Sequence, residues 1–426
     1  MNPDFRYIFP CWSAKKFFLL IALLILGFGR VAAQTTTPSP TPQKNKKPLS
    51  HEKPVPQQDI IDILKNAFHH NLPIKPDSIS HKKGELHISV IPAVAYTLMT
   101  RTAVVIAANG AFYTDEAENA NLSTINTSLA YTQNHQIIFP IHTSIWTKGN
   151  KINLLGDWRI YRYPQYTYGL GPHTSLKNAD LLVYSYVTLR ETIQKMVVPD
   201  FFVGLGYNLD YHWDITEAGL GEGIQTDFQK YGGTQKSVSS GLSLKLLYDT
   251  RRNPINPVPG EYASITYRPN TTWMGSDRNW QYLLAEFRKY IQLPDNSQNI
   301  LAFWSYNWIT VSGNPPYLDM PSTAWDEFNN VGRGYIQSRF RGRNLIYLES
   351  EYRFRLTRNG LIGGVIFVNA QCVSNWPGNT FDTVWPGMGA GLRLKVNKHS
   401  NTNMCLDYGF GVDGSQGLYF GLGEMF

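Results

Sequence analysis

With 426 residues, of which 42% are hydrophobic and 17% charged, and a mean hydropathy of -0.28, the chain is too polar to be a bundle of membrane-spanning helices. Its formal net charge of +7 falls to +4 once residues 1–33 are set aside, because four basic residues and one acidic residue go with them. So weak an excess, without a basic face interleaved with aromatics, predicts no nucleic-acid partner.

Lys15 and Lys16 precede the one long apolar run, Phe17 to Phe28, and Val31-Ala32-Ala33 supplies small residues before Gln34. This order is that of a secretory signal peptide over residues 1–33, and the run is well short of the ~20 residues of a membrane helix. Gln34 to Pro56, rich in Thr, Pro and Lys, predicts an extended tether. In Gln57 to Phe68, Ile60, Ile61, Leu64 and Phe68 share one helical face, and Asp59 and Asp62 sit at the favourable N-terminal end, so a short amphipathic helix is predicted. It can pack on the rim of the following domain, pack on a partner, or enter that domain's interior; periodicity leaves these open. Residues 34–84 thus form a proline-rich linker carrying one helix.

From Glu85 to Phe426 the pattern becomes strand-like throughout. Sixteen segments are predicted: near 85–97, 102–114, 121–134, 136–148, 151–167, 179–196, 198–216, 237–250, 260–269, 279–293, 299–313, 343–357, 361–374, 383–397, 402–412 and 417–426. Joins after even-numbered segments are mostly short, whereas those after odd-numbered ones include 167–179, 217–237 and 313–343. Short turns at one end and long loops at the other describe a membrane barrel with its N-terminus in the periplasm. The fold class is therefore all-β, a transmembrane antiparallel β-barrel of sixteen strands over residues 85–426, with a short N-terminal periplasmic helix. An exported barrel of this kind belongs in the bacterial outer membrane, among lipid and lipopolysaccharide, and depends on the outer-membrane insertion machinery for its own assembly.

The clearest strand lies in Val331 to Arg355. Arg343, Leu345, Tyr347, Glu349, Glu351, Arg353 and Arg355 occupy one parity, and Asn344, Ile346, Leu348, Ser350, Tyr352, Phe354 and Leu356 the other. A face this charged suits a wet lumen, with the apolar face against lipid. Tyr161, Tyr163, Tyr166 and Tyr168, and likewise Trp304 and Trp308, suit interfacial belts. The last segment alternates Leu418, Phe420 and Leu422 with Tyr419, Gly421 and Gly423, as a strand closing a barrel should. Cys372 and Cys405 fall on opposite parities and are predicted unpaired.

Catalysis is not predicted. Ser338, Ser350 and His399 have no spacing that makes a nucleophile and base. There is no HExxH or Cys/His arrangement for a metal, and His69-His70 suits a solvated helix end. Gly219 to Gly223 and Gly232-Gly233 lack the lysine and hydroxyl of a phosphate loop, so no cofactor is expected.

Three stretches carry a resemblance to the BamA/TamA barrels, also called bacterial surface antigens. Gly332-Arg333-Gly334-Tyr335 resembles that family's Val-Arg-Gly-Phe/Tyr loop tip, and Glu351-Tyr352-Arg353-Phe354 its Glu-x-Arg-Phe strand ending. Tyr248-Asp249-Thr250-Arg251-Arg252-Asn253-Pro254, with Pro257 and Gly260, resembles its Tyr-Asp-x-Arg-x-Asn-Pro periplasmic turn. Leu406-Asp407-Tyr408-Gly409 and Phe420-Gly421-Leu422-Gly423 with Phe426 resemble its closing hairpin and C-terminal insertion signal, although Glu424 stands where that signal has an apolar residue. The resemblance implies that Arg333 points into the lumen toward Phe367-Val368-Asn369-Ala370-Gln371, where the family has Phe-x-Asp-x-Gly. Asn369 and Gln371 replace the aspartate and glycine, so a neutral hydrogen bond is expected there, with Glu349 or Glu351 supplying the missing charge. It also implies assembly or translocation of a client protein, through a seam between residues 85–97 and 417–426 that opens laterally. Residues 34–84 are too few and too proline-rich for the family's receiving POTRA domains, which keeps a passive channel, or a surface barrel without transport, as the alternative.

Overall fold

A computed structural model describes residues 56–60, 62–63, 84–97, 99–116, 120–251, 253, 255–295, 297–398 and 401–426. Its strands are β1 (His87–Thr97), β2 (Arg101–Phe112), β3 (Ser123–Thr132), β4 (Ile137–Trp146), β5 (Ile152–Arg162), β6 (Gln165–Thr167), β7 (Asp180–Val198), β8 (Phe201–Glu217) and β9 (Ser237–Asp249). They continue as β10 (Gly260–Asn270), β11 (Trp280–Gln292), β12 (Ile300–Gly313), β13 (Leu345–Arg355), β14 (Ile362–Val373), β15 (Trp385–Asn397), β16 (Thr402–Phe410) and β17 (Gln416–Leu422). β6 continues β5 beyond Tyr163 and Pro164 and pairs with the same neighbour, β7, so sixteen staves result. Each stave pairs antiparallel with the next from β1 to β17, in one sheet.

All sixteen predicted segments coincide with these staves, because the signal behind them is the strand period itself. Boundaries moved by up to four residues: the turn expected at Val197-Val198 lies at Pro199-Asp200, where Asp200 takes φ +63. Residues of one parity, among them Val104, Leu129, Ile160, Ile193, Leu205, Leu244, Ile366 and Leu406, are exposed on the outer face. The opposite parity faces a lumen filled by residues 314–344, the long connection between β12 and β13. Its charge is uneven. β1 to β4 contain a single charged residue, Arg101, whereas β5, β7 to β11, β13, β15 and β16 carry the lumenal arginines and carboxylates.

Two expectations are corrected, and one left open is decided. The belt aromatics turn inward: Tyr163, Tyr168 and Trp304 are buried, Trp308 stacks on Tyr282 at 4.0 Å, and of the tyrosine cluster only Tyr166 is well exposed. These rings share the parity of the lumenal arginines, and parity outweighs residue type in choosing a face. The final strand stops at Leu422, where Gly423 (φ +89) turns residues 423–426 into the lumen. The N-terminal helix, of which Ile60, Asp62 and Ile63 are described, sits on the rim of its own barrel and not in the lumen. Gln58 N donates to Asn359 O (3.1 Å), Lys398 N to Asp59 Oδ2 (3.0 Å), and Lys398 Nζ reaches both Asp62 oxygens (2.7 and 2.9 Å). Leu64 and Phe68, the rest of the predicted face, lie outside the described residues, as do the signal peptide, the tether, His69-His70 and His399.

β1 and β17 approach to within 8 Å between Cα atoms, yet among the described residues no hydrogen-bonded register joins them. The barrel as a whole is nonetheless expected to resist detergent until heated, because fifteen of its sixteen possible joins are continuous ladders. Boiling should shift its mobility on a denaturing gel; identical migration with and without heating would contradict the barrel.

Candidate functional site

The lumenal connection folds on itself before it reaches the wall. Arg341 Nη1 donates to Tyr317 O (3.0 Å) and Met320 O (3.2 Å), and its Nη2 to Ser338 Oγ (3.1 Å). Asp326 accepts from the amides of Val331 (2.8 Å) and Phe328 (3.2 Å), which tightens the approach to the tip. At the tip, Gly334 has φ +107, and a Cβ there would stand 2.7 Å from Phe410 O. A Cβ at Gly409 would likewise stand 2.7 Å from Gly334 N. Only glycines allow this contact, and the backbone of the tip lies directly on β16.

Arg333, flanked by Gly332 and Gly334, is fully buried. Its Nη2 donates to Glu349 Oε1 and to Glu351 Oε2 (2.5 Å), its Nη1 to Asp407 Oδ2 (2.6 Å), and its guanidinium lies 3.8 Å over the Phe367 ring. The carboxylates are shared onward. Arg353 Nε meets Glu351 (2.5 Å) and Glu424 (3.6 Å), and Arg393 meets Glu424 (2.7 Å) and Asp407. The result is a closed ring of alternating charge, Arg333–Glu351–Arg353–Glu424–Arg393–Asp407, with Glu349 attached to Arg333 and steadied by the Tyr347 hydroxyl. It ties the loop tip to β13, β15, β16 and the tail beyond β17. Desolvation makes each of these charges costly alone, and the ring offsets that cost because every member has an opposite neighbour.

The remaining predicted residues divide. Asn369 does not meet the guanidinium; its Nδ2 donates to Arg333 O (2.8 Å). Gln371 does not meet it either, and accepts from Thr323 Oγ1 (2.9 Å) beneath Gly332. Both predicted glutamates reach the arginine. Tyr335 donates to Pro386 O (2.5 Å), while the Tyr419 hydroxyl of β17 accepts from Gly334 N (2.8 Å) and donates to Tyr335 O (3.0 Å), so the last strand holds the tip.

The predicted periplasmic turn lies elsewhere but reaches the same tail. Asp249 accepts from Arg251 Nε and Nη2 (2.9 Å each), and Asn253 Oδ1 accepts from the amides of Ile255 (2.9 Å) and Asn256 (3.2 Å). Pro257 is buried, Gly260 opens β10, Tyr248 faces outward, and Arg252 and Pro254 fall outside the described residues. This folding presents Ile255 O to Glu424 N at 2.8 Å. Of the insertion-signal residues, Phe420 faces outward and Gly421 inward, whereas Phe426 stacks on Trp304 at 5.3 Å and its oxygen accepts from Arg353 (2.9 Å).

Sequence reasoning missed Asp407, Arg393 and Glu424 as members of the site. The signal was present: Asp407 shares its parity with Gly409, Arg393 with Gly387, Gly389 and Gly391, and a run of glycines on one face marks a close backbone approach.

Residues 158–426 match the Omp85 superfamily domain. Among curated proteins, none matches the chain. Among solved structures, BamA from Haemophilus ducreyi lacking POTRA domains 1–3 is similar at a TM-score of 0.52 and 12% identity, over 85% of this chain and 78% of that one. CdiB from Acinetobacter baumannii (TM-score 0.50, 12% identity, 79% of this chain) and CdiB from Escherichia coli (0.53, 10%, 80%) are similar as well. The chain spans under two thirds of those two proteins, 65% and 63%. At such identities the likeness is one of fold.

Among the described residues Arg333 is the only cation bound by Glu349, so Arg333→Ala should leave a buried, uncompensated carboxylate and destabilise the barrel by about 3–5 kcal/mol. The midpoint of urea unfolding, followed by gel mobility of unheated samples, should fall accordingly. Arg333→Lys, which keeps the charge but not the fork, should be intermediate. Arg333→Met with Glu349→Leu should cost less than Arg333→Ala; an equal or larger loss would remove the stranded carboxylate as the cause. Gly409→Val should displace the tip from β16, at a cost of about 1–3 kcal/mol for overpacking.

Proposed function

The chain belongs to the Omp85 superfamily, whose barrels are integral outer-membrane proteins, and from that premise we propose that it acts in the assembly or translocation of proteins at the bacterial outer membrane. The observation that carries this reading is the seam. β17 has a ladder with β16 and none with β1 among the described residues, and it is held instead through Tyr419 and the tail, both of which engage the Arg333 loop. A strand held from the lumen side leaves its lateral edge free to accept another strand. A cavity of about 200 Å³ lies beside it, lined by Met99, Thr100, Ile336, Leu418 and Tyr419. The lumenal face of β2 to β4 beside the seam, charged only at Arg101 on its rim, suits the passage of an extended client segment, since it offers little fixed charge to hold one.

In this reading the N-terminal segment lies in the periplasm. Its docking on the turns at Asn359 and Lys398, between strands that close with short connections, supports that side. The partners are then outer-membrane lipid and lipopolysaccharide, the insertion machinery during the chain's own assembly, and a client protein. We assign no catalytic step and no cofactor.

Depleting the protein and measuring the outer-membrane proteome tests the proposal. Broad loss of other barrels is expected of a general assembly role, and loss of one secreted or surface protein of a dedicated translocator. An unchanged proteome would overturn both in favour of a channel or a surface barrel without transport. Conductance separates those two: a lumen filled by residues 314–344 should pass only small, unsteady currents, and large steady ones would establish a channel.

A further inference from the structure

Two cavities lie between the lumenal connection and the wall, and they differ in what they offer a ligand. One, of about 140 Å³, is lined by Arg190, Lys245, Arg268, Glu286 and Arg288. Arg190 Nε and Trp308 Nε1 belong to its lining and are buried without a hydrogen-bond partner among the described residues, so this space suits ordered water. The other is the cavity of about 200 Å³ beside the seam, whose described lining holds no charged side chain. Its polar side chains are bonded elsewhere. Gln337 Nε2 donates to Ala324 O (2.8 Å) and its Oε1 accepts from Tyr163 (3.0 Å), Asn330 Nδ2 donates to Met425 O (2.6 Å), and the Tyr335 and Tyr419 hydroxyls are held by Pro386 O and the loop tip. None of its described lining is a buried polar atom left without a partner. Phe328, by contrast, is 56% exposed there although it belongs to the loop that fills the lumen.

This second cavity does not stop at the lumen. Gly417 and Tyr419 of β17 face inward, Leu418 and Phe420 face outward, and all four line it. A space that touches both parities of one strand passes round that strand's edge. The edge concerned is the one turned away from β16, which has no ladder among the described residues. On the outer face Phe420 is 44% exposed and Leu422 67% exposed, in the zone where the wall meets hydrocarbon. Gly417 to Phe420 cover about 10 Å of strand, and Met425, on the tail that turns inward, lines the lumenal side.

We infer that this cavity is a lipid site, and that its occupant is an acyl chain of a membrane lipid entering round the edge of β17. Water finds few partners in it, and a void forfeits the contacts of its walls; methylenes restore those contacts and ask for no hydrogen bond. The lumenal cavity of Arg190 and Lys245 has the opposite character and takes no such chain. Met99 and Thr100 join β1 to β2 and Gly417 opens β17, so the cavity lies toward the end of the barrel that carries the long loops. The lipid is therefore one of the leaflet on that side, its headgroup remaining at the interface. The inference rests on the seam but not on a client, and it stands even if depletion of the protein leaves the outer-membrane proteome unchanged.

The test uses the full chain in nanodiscs of phosphatidylcholine that contain a phosphatidylcholine with a benzophenone at the end of one acyl chain. On illumination the benzophenone captures nearby C–H bonds, and fragmentation of the labelled peptides assigns them to residues. Label is expected on outward residues of the wall, such as Ile366 and Leu406, and also on Met425, which is 8% exposed and lies on the lumenal side. Ile336→Trp fills the cavity from the loop and should lower the label on Met425 at least fivefold while leaving the outward label unchanged. Label confined to outward residues, or label on Met425 indifferent to Ile336→Trp, overturns the inference. The heat-dependent mobility shift shows that the variant has folded. If it has not, the unmodified protein decides: label on Met425 upholds the inference and its absence overturns it.

Discussion

A guanidinium held away from water must have its charge met, and in this barrel the way Arg333 is met organises the rest. Glu349, Glu351 and Asp407 surround it, and because two of these are shared with Arg353 and Arg393, the requirement spreads until it closes on Glu424 beyond the last strand. The loop tip is thereby pinned to the wall, and the wall at that point becomes the C-terminal third of the chain. Fully paired, such a ring favours one arrangement of the strands it joins; partly paired, it is worse than an apolar contact.

The same ring explains how a sheet with an open seam keeps its last strand in place. β17 is short, has one ladder, and lacks a second on its other edge among the described residues. Its position is set from within, by Tyr419 against the loop tip and by residues 423–426 reaching Arg393, Arg353, Trp304 and the periplasmic turn at Ile255. The edge of β17 without a ladder among the described residues and its lumenal anchoring are two aspects of one construction. The loop that braces the lumen is also what substitutes for the ladder missing among the described residues, and across the seam β1 to β4, with Arg101 as their one charged residue, take no part in the ring.

The staves, their antiparallel order and the parity each residue takes were legible in the sequence, because a period of two is a local property that survives without knowledge of neighbours. Glu349 and Glu351 as partners of Arg333 were legible for the same reason: they share a parity on one strand, and the resemblance placed the arginine in the lumen. What parity cannot do is say which strands face each other across a lumen. Asp407 is 74 residues from Arg333, and nothing local links them; Asn369, expected at the guanidinium, holds the carbonyl of the same residue instead. Trp304 read as a belt residue because tryptophan suits an interface, yet it lies on the inward parity, where Phe426 covers it.

The sequence by itself therefore determined the class of fold, the number of staves and the inward and outward parities, since these follow from alternation, turn residues and charge along the chain, and its resemblance to a known family pointed to the arginine at the loop tip. Only the tertiary structure decided that the tail turns inward at Gly423, that Asp407 and Glu424 complete the ring, that the N-terminal helix sits on the rim, and that β17 is anchored from the lumen. Those are meetings of residues far apart in the chain, fixed by the closure of the sheet and the packing of one loop against its wall, and no periodicity along a single strand records them.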